Sequence, residues 1–241
     1  MIITYLDNSG FHVALSNTTM VFDYYHVQAE GQKTLDKGLV TLEDITRPGS
    51  TYVFVSHNHY DHYNKSILTW QKHNPGIRYI FDNDVESRSD SIIHLAEGDV
   101  YKDESIFVKA FGSTDIGISF LVKAEGKTFF HAGDLNFWHW EKEADEAFIA
   151  KAEQDFMTQL RALEKEDERI DVMFFPCDYR MGENGDRGAQ LMIEMLAPSV
   201  FVPMHFQNRF DKIDAFKEKY ENKDTAIWAI PRKGAQLCLA E

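Results

Sequence analysis

Ser56-His57-Asn58-His59-Tyr60-Asp61-His62 packs three imidazoles and a carboxylate into the six positions 57–62, directly after the apolar run Tyr52-Val53-Phe54-Val55. Four unbroken apolar residues read as a buried strand, so the histidine-rich segment opens at a strand end. Histidine offers neutral nitrogen donors and aspartate a hard oxygen, a mixture that Zn²⁺, Fe²⁺ and Mn²⁺ all accept. A tight loop can aim such close neighbours at two adjacent ions. A histidine-rich surface loop would look the same in isolation, so the decision rests on partners elsewhere in the chain.

Two later strand ends supply them. Thr128-Phe129-Phe130-His131-Ala132-Gly133 leads into Asp134, and Ser199-Val200-Phe201-Val202-Pro203-Met204 leads into His205. Glycine before Asp134 lets the backbone turn sharply, and a carboxylate placed there can bridge two cations. Singly these are weak signals: Gly-Asp is a common turn pair, and a histidine in an apolar context is more often structural than a ligand.

Outward from these elements, the first quarter reads as a meander of strands at Ile2 to Leu6, Phe11 to Leu15 and Met20 to Tyr25, with Asn8-Ser9-Gly10 and Asn17 as turn residues. Residues 29–50, poorer in apolar residues and holding Gly31, Gly38 and Pro48-Gly49, read as a loop or insertion over one end of the sheet. A short helix from Lys65 to His73, stopped by Asn74-Pro75-Gly76, precedes a strand at Arg78 to Phe81. Extended runs follow at Ser105 to Phe111, Ile118 to Lys123 and Thr128 to His131, the last two joined by a hairpin turn at Glu125-Gly126. Ala144, Phe148, Ala152, Phe156, Leu160 and Leu163 recur every three or four residues, which predicts an amphipathic helix within Glu141 to Arg169. Strands at Asp171 to Pro176 and Ser199 to Met204 alternate with helices at Arg187 to Ala197 and Phe210 to Tyr220, and strands at Ala226 to Ile230 and Ala235 to Leu239 end the chain. Two sheets sandwiched between helices, in one domain over residues 1–241, is the expected architecture.

Composition narrows the function classes. With 241 residues, 44% of them hydrophobic, the chain can bury a substantial core. A formal net charge of -14 opposes binding to long nucleic acids or anionic lipid, which need clustered Lys and Arg. It leaves open a small-molecule substrate, including an anion held by metal. Cys177 and Cys238 are the only cysteines and lack metal-type spacing, so a reducing cytoplasm fits better than a disulfide framework. The first residues show no secretory pattern, and no apolar stretch approaches the roughly 20 residues of a membrane span. The sheet edges and the 29–50 loop are candidate association surfaces, with no signal for an oligomeric state.

His57-x-His59-x-Asp61-His62, followed by Gly133-Asp134 and then Pro203-Met204-His205, resembles the signature of the metallo-β-lactamase superfamily, over most of the chain. The first element is highly specific, and the other two gain weight from order and spacing. The resemblance implies a four-layer αβ/βα sandwich: two mixed β-sheets flanked by helices, with a binuclear metal centre at one edge. It implies that His57 and His59 hold the first ion, that Asp61, His62 and His205 hold the second, and that Asp134 bridges them. The pattern departs from the family at one point. Where relatives usually place another first-site histidine, this chain has Phe111-Gly112-Ser113-Thr114-Asp115-Ile116-Gly117. Asp115 is a candidate oxygen ligand and Ser113 a candidate holder of a water, against the alternative that both only shape the turn. Zinc is the expected metal, with manganese or iron as alternatives that an oxygen-rich first site would favour.

Weaker candidates surround this set. His139, within Asn136-Phe137-Trp138-His139-Trp140, is a candidate general acid, and its aromatic neighbours either wall a pocket or start the long helix. Arg180, after the strand end at Cys177-Asp178, is a candidate clamp for a substrate carboxylate or phosphate. His12, His26, His73, His94 and His131 read as structural. The chemistry expected is hydrolysis of a small ester, lactone or phosphoester by a metal-bound hydroxide that Asp61 orients. The alternative is a module of the same fold that binds metal or ligand through a degenerate site, without hydrolysis. A redox branch fits less well: the mononuclear persulfide dioxygenases rely on the missing histidine, and the flavin-dependent diiron type needs a further domain.

Overall fold

The computed structural model describes every residue except 27, 29, 30, 88, 90, 141–143 and 241. In chain order its strands are β1 (Ile2–Asp7), β2 (Gly10–Ala14), β3 (Thr18–Phe22), β4 (Ser50–Val55), β5 (Arg78–Asp82), β6 (Ile92–Leu95), β7 (Val100–Lys102), β8 (Ile106–Phe111), β9 (Ser119–Ala124), β10 (Lys127–His131), β11 (Val172–Pro176), β12 (Val200–Met204), β13 (Ala226–Ile227) and β14 (Gln236–Cys238). The α-helices are α1 (Leu42–Ile45), α2 (Glu146–Glu164), α3 (Arg187–Leu196) and α4 (Phe210–Tyr220).

The strands form two seven-stranded sheets, ordered β14-β1-β2-β3-β4-β5-β6 and β13-β12-β11-β10-β9-β8-β7. Each is half antiparallel and half parallel. In the first, β14, β1, β2 and β3 pair antiparallel while β3, β4, β5 and β6 run parallel. In the second, β7 to β10 pair antiparallel while β10, β11, β12 and β13 run parallel. Parallel neighbours carry connecting segments over the sheet faces, and here these cover the outer faces of the sandwich.

The inner core lies between the sheets. Phe11, Phe22 and Phe54 of the first meet Phe120 and Phe174 of the second, Phe11 and Phe174 with ring centroids 4.3 Å apart. The outer face of the first sheet has its own core, in which Val53, Val55 and Tyr79 pack with Ile45 of α1 and Ile67 of the short helical segment Lys65–Lys72. On the second sheet α2 buries Phe156, Leu160 and Leu163, the later half of the stripe its sequence period predicted. The four layers expected from the resemblance are therefore present.

Several boundaries differ from the sequence reading. The long helix runs only Glu146–Glu164, capped by Asp145, whose side chain accepts from the backbone of Phe148. The expected start at 141–143 lies outside the described residues, and Arg169 is beyond the helix end. Lys65–Lys72 is a tight 3-10 helix rather than an α-helix. Within the loop of residues 29–50 sits α1, closed by a reciprocal bond pair between Thr41 and Asp44. The short strands β6 and β7 carry mixed, partly exposed residues without a clean alternation, so they had no pattern to read. The two last strands are shorter than read, Ala226–Ile227 and Gln236–Cys238, and the final one lies in the first sheet beside β1, pairing Ile2 with Cys238.

Candidate metal centre

Five strands of the two parallel halves end at one edge of the sandwich, and each is followed by a polar side chain. Asp23 follows β3, Ser56 and the histidine segment follow β4, Asp134 follows β10, Asp178 follows β11, and His205 follows β12. Ends of parallel strands are where open α/β sheets gather ligands. The two sheets meet there through His131, whose ring stacks on Phe22 at 4.9 Å.

Backbone constraints bring the segments close. Gly133, at φ +55°, lies where a Cβ would come within 2.7 Å of the Ser56 side chain. At Gly117, φ +83°, a Cβ would stand 2.1 Å from the Ser56 carbonyl oxygen and 2.6 Å from His57 Cβ. Both turns thus require glycine for conformation and for contact. His205 also adopts a positive φ of 58°, unusual for its type.

Two triads of donor atoms result, each within 4.8 Å of one another: His57, His59 and Asp134, and Asp61, His62 and His205. Asp134 also reaches into the second triad, its Oδ1 lying 3.1 Å from His62 Nε2 and 3.6 Å from His205 Nε2. Its Oδ2 lies 3.4 Å from His57 Nε2. His57 Nε2, His62 Nε2 and Asp134 Oδ1 are buried without a hydrogen-bond partner among the described residues. Leaving such a group unsatisfied costs about 1–3 kcal/mol, so three converging on one point demand a common partner. A divalent cation fits this donor set of imidazole nitrogens and carboxylate oxygens.

Outer hydrogen bonds select which imidazole nitrogen faces inward. Asp23, fully buried, accepts from Ser56 N (2.8 Å), Ser56 Oγ (2.7 Å) and His62 Nδ1 (2.8 Å). A carboxylate only accepts, so His62 carries its proton on Nδ1 and turns the Nε2 lone pair inward when neutral. Ser56 Oγ, its hydrogen given to Asp23, accepts from His57 Nδ1 at 3.0 Å and leaves His57 Nε2 in the same state. Asp178 does likewise for His205 Nδ1, at 3.1 Å. Asn8 ties down the remaining side: its Nδ2 donates to Asp61 Oδ2 at 3.1 Å and its carbonyl accepts from His205 N at 3.1 Å.

Electrostatics reflect the density of charge. Burial alone would raise the Asp134 carboxyl, but His62 and His205 beside it hold it far below the usual carboxylate range. Burial would lower His205, yet Asp134 and the bonds to Asp178 and Asp61 push it up to about 9. His62 is raised in the same way by Asp134 and Asp23 against its burial. His57, buried and next to His62, falls to about 4. The carboxylates thus call for positive charge at this edge.

Beside the triads opens a cavity of about 500 Å³. Asp61, Asp134 and His205 form its floor, and Trp138, Trp140 and Phe148 line its side.

The family model of the beta-lactamase superfamily domain matches residues 2–205. This chain belongs to the metallo-β-lactamase superfamily. Among solved structures of this fold, Igni18, a metallo hydrolase from the hyperthermophilic archaeon Ignicoccus hospitalis, matches with a TM-score of 0.67 at 19% identity over 99% of each chain. The metallo-β-lactamase fold protein YhfI from Bacillus subtilis matches at 0.62 and 12% identity over 98% of each chain. CmlA, a diiron β-hydroxylase from Streptomyces venezuelae, matches at 0.59 and 12% identity, over 94% of this chain and 52% of its own. At these identities the likeness is one of fold, and that fold carries both hydrolytic and oxidative chemistry.

Within the superfamily pattern, the structure gathers His57, His59, Asp61, His62, Asp134 and His205 into the two triads. It places the other candidates differently. Asp115 joins neither triad: it is an exposed residue of the cavity wall, its carboxyl raised by partial burial and by the charge of Asp134. Ser113 only shapes the turn, accepting from Asp115 N at 3.3 Å. Thr114 pins that turn to the 134–140 segment through a pair of bonds with the Asn136 backbone. His139 is not among the residues lining the cavity. Along 137–140 the side chains alternate, so that Trp138 and Trp140 line it while the His139 ring rests against Phe137. Arg180 does line the cavity, but its guanidinium is committed to both oxygens of Asp178 and lies over the Trp140 ring, 5.8 Å from its centroid. His131 is structural, bonded to the Ser9 carbonyl at 2.8 Å.

Asp23, Asp178 and Asn8 were not singled out in the sequence. The signal for Asp178 was its position just past a buried strand, the same signal that pointed to Asp134 and His205, whereas Asp23 fell inside the strand read at Met20 to Tyr25, which ends at Phe22 in the structure. Asn8 had only its turn-forming character, which its φ of 48° uses.

Proposed function

We propose that this chain is a metal-dependent hydrolase acting on a small-molecule ester, lactone or phosphoester. His57, His59 and Asp134 would hold one divalent cation, Asp61, His62 and His205 a second, with Asp134 shared and zinc the favoured metal. The three orphaned buried atoms, His57 Nε2, His62 Nε2 and Asp134 Oδ1, carry this reading. When bound, the cations would supply Lewis acidity, bringing the pKa of a water towards neutrality and stabilising an oxyanion.

The chain's own groups do the rest. Asp23, Ser56 and Asp178 keep the three buried imidazoles with Nε2 free. Asp61, held by Asn8 on the cavity floor, accepts a hydrogen bond from the attacking water and orients it towards the substrate. With His139 off the cavity, solvent protonates the leaving group. Thr114 and the glycine turns keep the floor rigid, which preserves the alignment on which rate depends.

The test begins with elemental analysis of protein reconstituted with zinc and with manganese, followed by a panel of esters, lactones and phosphodiesters. Two ions per chain with turnover of at least one panel member supports the proposal. Fully metallated Asp61→Ala should lose kcat far more than it changes KM, and an unchanged kcat refutes the role given to Asp61. One ion or none, with no turnover, favours the binding module. Dioxygen consumption in place of hydrolysis favours the oxidative branch.

A further inference from the structure

The apolar stripe of α2 outruns the core it serves. Phe156, Leu160 and Leu163 are buried against the second sheet, yet Phe148 and Ala152, on the same stripe about two turns and one turn earlier, line the cavity. Phe148 is 51% exposed. Across from it, Trp138 and Trp140 stand nearly parallel, with an interplanar angle of 4° and centroids 6.0 Å apart, an offset stack.

This shelf begins at the centre itself. Trp138 Nε1 donates to the Asp134 carbonyl at 3.1 Å, and the Trp138 ring meets His205 edge-on at 6.1 Å. Trp140 continues the shelf outward, backed by the Arg180 guanidinium. Tyr60, 86% exposed, adds a further ring at the rim. The cations on the walls already have acidic partners: Lys151 pairs with Asp155 at 2.6 Å, and Arg180 with Asp178. Aromatic surface beside a polar floor, exposed at Phe148 and Tyr60, half-buried at Trp140 and reaching inward to the buried Trp138, marks a ligand groove. With both wall cations paired and Asp115 an exposed carboxylate, aromatic contact is its attractive means of selection.

Resting on the hydrolase reading above, we infer that Trp138, Trp140 and Phe148 bind a planar aromatic group of the substrate, making this an enzyme for aryl-bearing esters or lactones. Ring stacking of this kind gives a planar ligand an advantage of roughly tenfold over a non-planar one of the same charge.

Calorimetric titration with 2-naphthoate and with cyclohexanecarboxylate reads the shelf without turnover, since both probes carry one carboxylate. The expected result is about tenfold tighter binding of 2-naphthoate, lost in Trp140→Ala and in Phe148→Ala, with thermal unfolding confirming that each variant is folded. Equal affinity for the two probes in the wild type, or a preference unchanged in both variants, overturns the inference. A parallel assay of 2-naphthyl acetate against methyl acetate separates this failure from that of the hydrolase reading. Ester turnover without any planar preference removes the shelf and leaves the hydrolase. Planar preference in binding without turnover of any ester removes the hydrolase and leaves the shelf as a binding site.

Discussion

Asp23→Asn is the perturbation that most directly tests how the centre is built. Asp23 sits at a positive φ of 41°, which asparagine tolerates, so the backbone need not change. The substituted amide can keep its oxygen on Ser56 N only by turning its nitrogen towards Ser56 Oγ and His62 Nδ1. Two donors then face each other at His62 unless the ring moves its proton to Nε2, which removes the lone pair that faces Asp134. Flipping the amide instead sets its nitrogen against the Ser56 N–H. Metal binding must reverse one of these arrangements and leave a buried donor unpaired. A loss of this kind is worth about 10–100-fold in metal affinity, or about 1.4–2.8 kcal/mol. Competition against a chromophoric zinc chelator measures it, with Asp211→Asn, a change in an exposed surface pair, as the control. An Asp23→Asn variant that is natively folded and holds zinc within twofold of the wild type would refute the reasoning from tautomers. Asp23→Ala goes further, orphaning Ser56 N–H and His62 Nδ1–H at about 1–3 kcal/mol each, a large part of the roughly 5–15 kcal/mol typical of a folded protein.

Three further outcomes are expected. Saturating zinc, at about 100 times its Kd, should add about 2.7 kcal/mol of stability and raise the Tm by roughly 5–11 °C for a chain of this size; an unchanged Tm would count against a built metal site. Gly117→Ala should cost about 2–4 kcal/mol in urea unfolding, from strain and collision with Ser56 and His57, whereas Gly126→Ala, at φ +74° with open space around it, should show the strain alone. His12 is buried in β2 with neither ring nitrogen hydrogen-bonded among the described residues, and burial, opposed by Asp44 and reinforced by Arg47, lowers it from 6.5 to about 4. Between those values the unfolded chain binds the proton and the folded chain does not, so stability present above pH 6.5 falls as pH drops towards 4, by about 3 kcal/mol in all. His12→Leu should flatten that limb, and an acid limb as steep as the wild type's would show that the loss arises elsewhere.

His57, His59, Asp61 and His62 were legible because a strand end and a six-residue span place chemistry in one local unit. Asp134 and His205 were legible because each follows its own apolar run, and a strand delivers its next residue to the sheet edge. The helix stripe of α2 was legible as a stripe, since period alone dictates it, but not how much of it is covered: Phe156, Leu160 and Leu163 are buried while Phe148 is exposed. The edge strands β6 and β7 were not, because partly exposed short strands lack an apolar alternation to read.

What the sequence by itself determined was the donor chemistry, the family pattern and the sandwich of two sheets, since all of these follow from residue type and local period. Which nitrogen of each buried histidine faces inward was decided only in three dimensions, by Asp23 and Asp178 reaching in from other strands to His62 and His205, and by Asp23 taking the hydroxyl hydrogen of Ser56 so that Ser56 accepts from its neighbour His57. So were the demotion of Asp115 and His139, the pairing of Arg180 with Asp178 and the shelf of Trp138, Trp140 and Phe148. A loop residue's reach depends on the turn that carries it and on which side of an extended segment it falls. Neither can be read until the strands on both sides have paired and fixed the edge from which the loop departs.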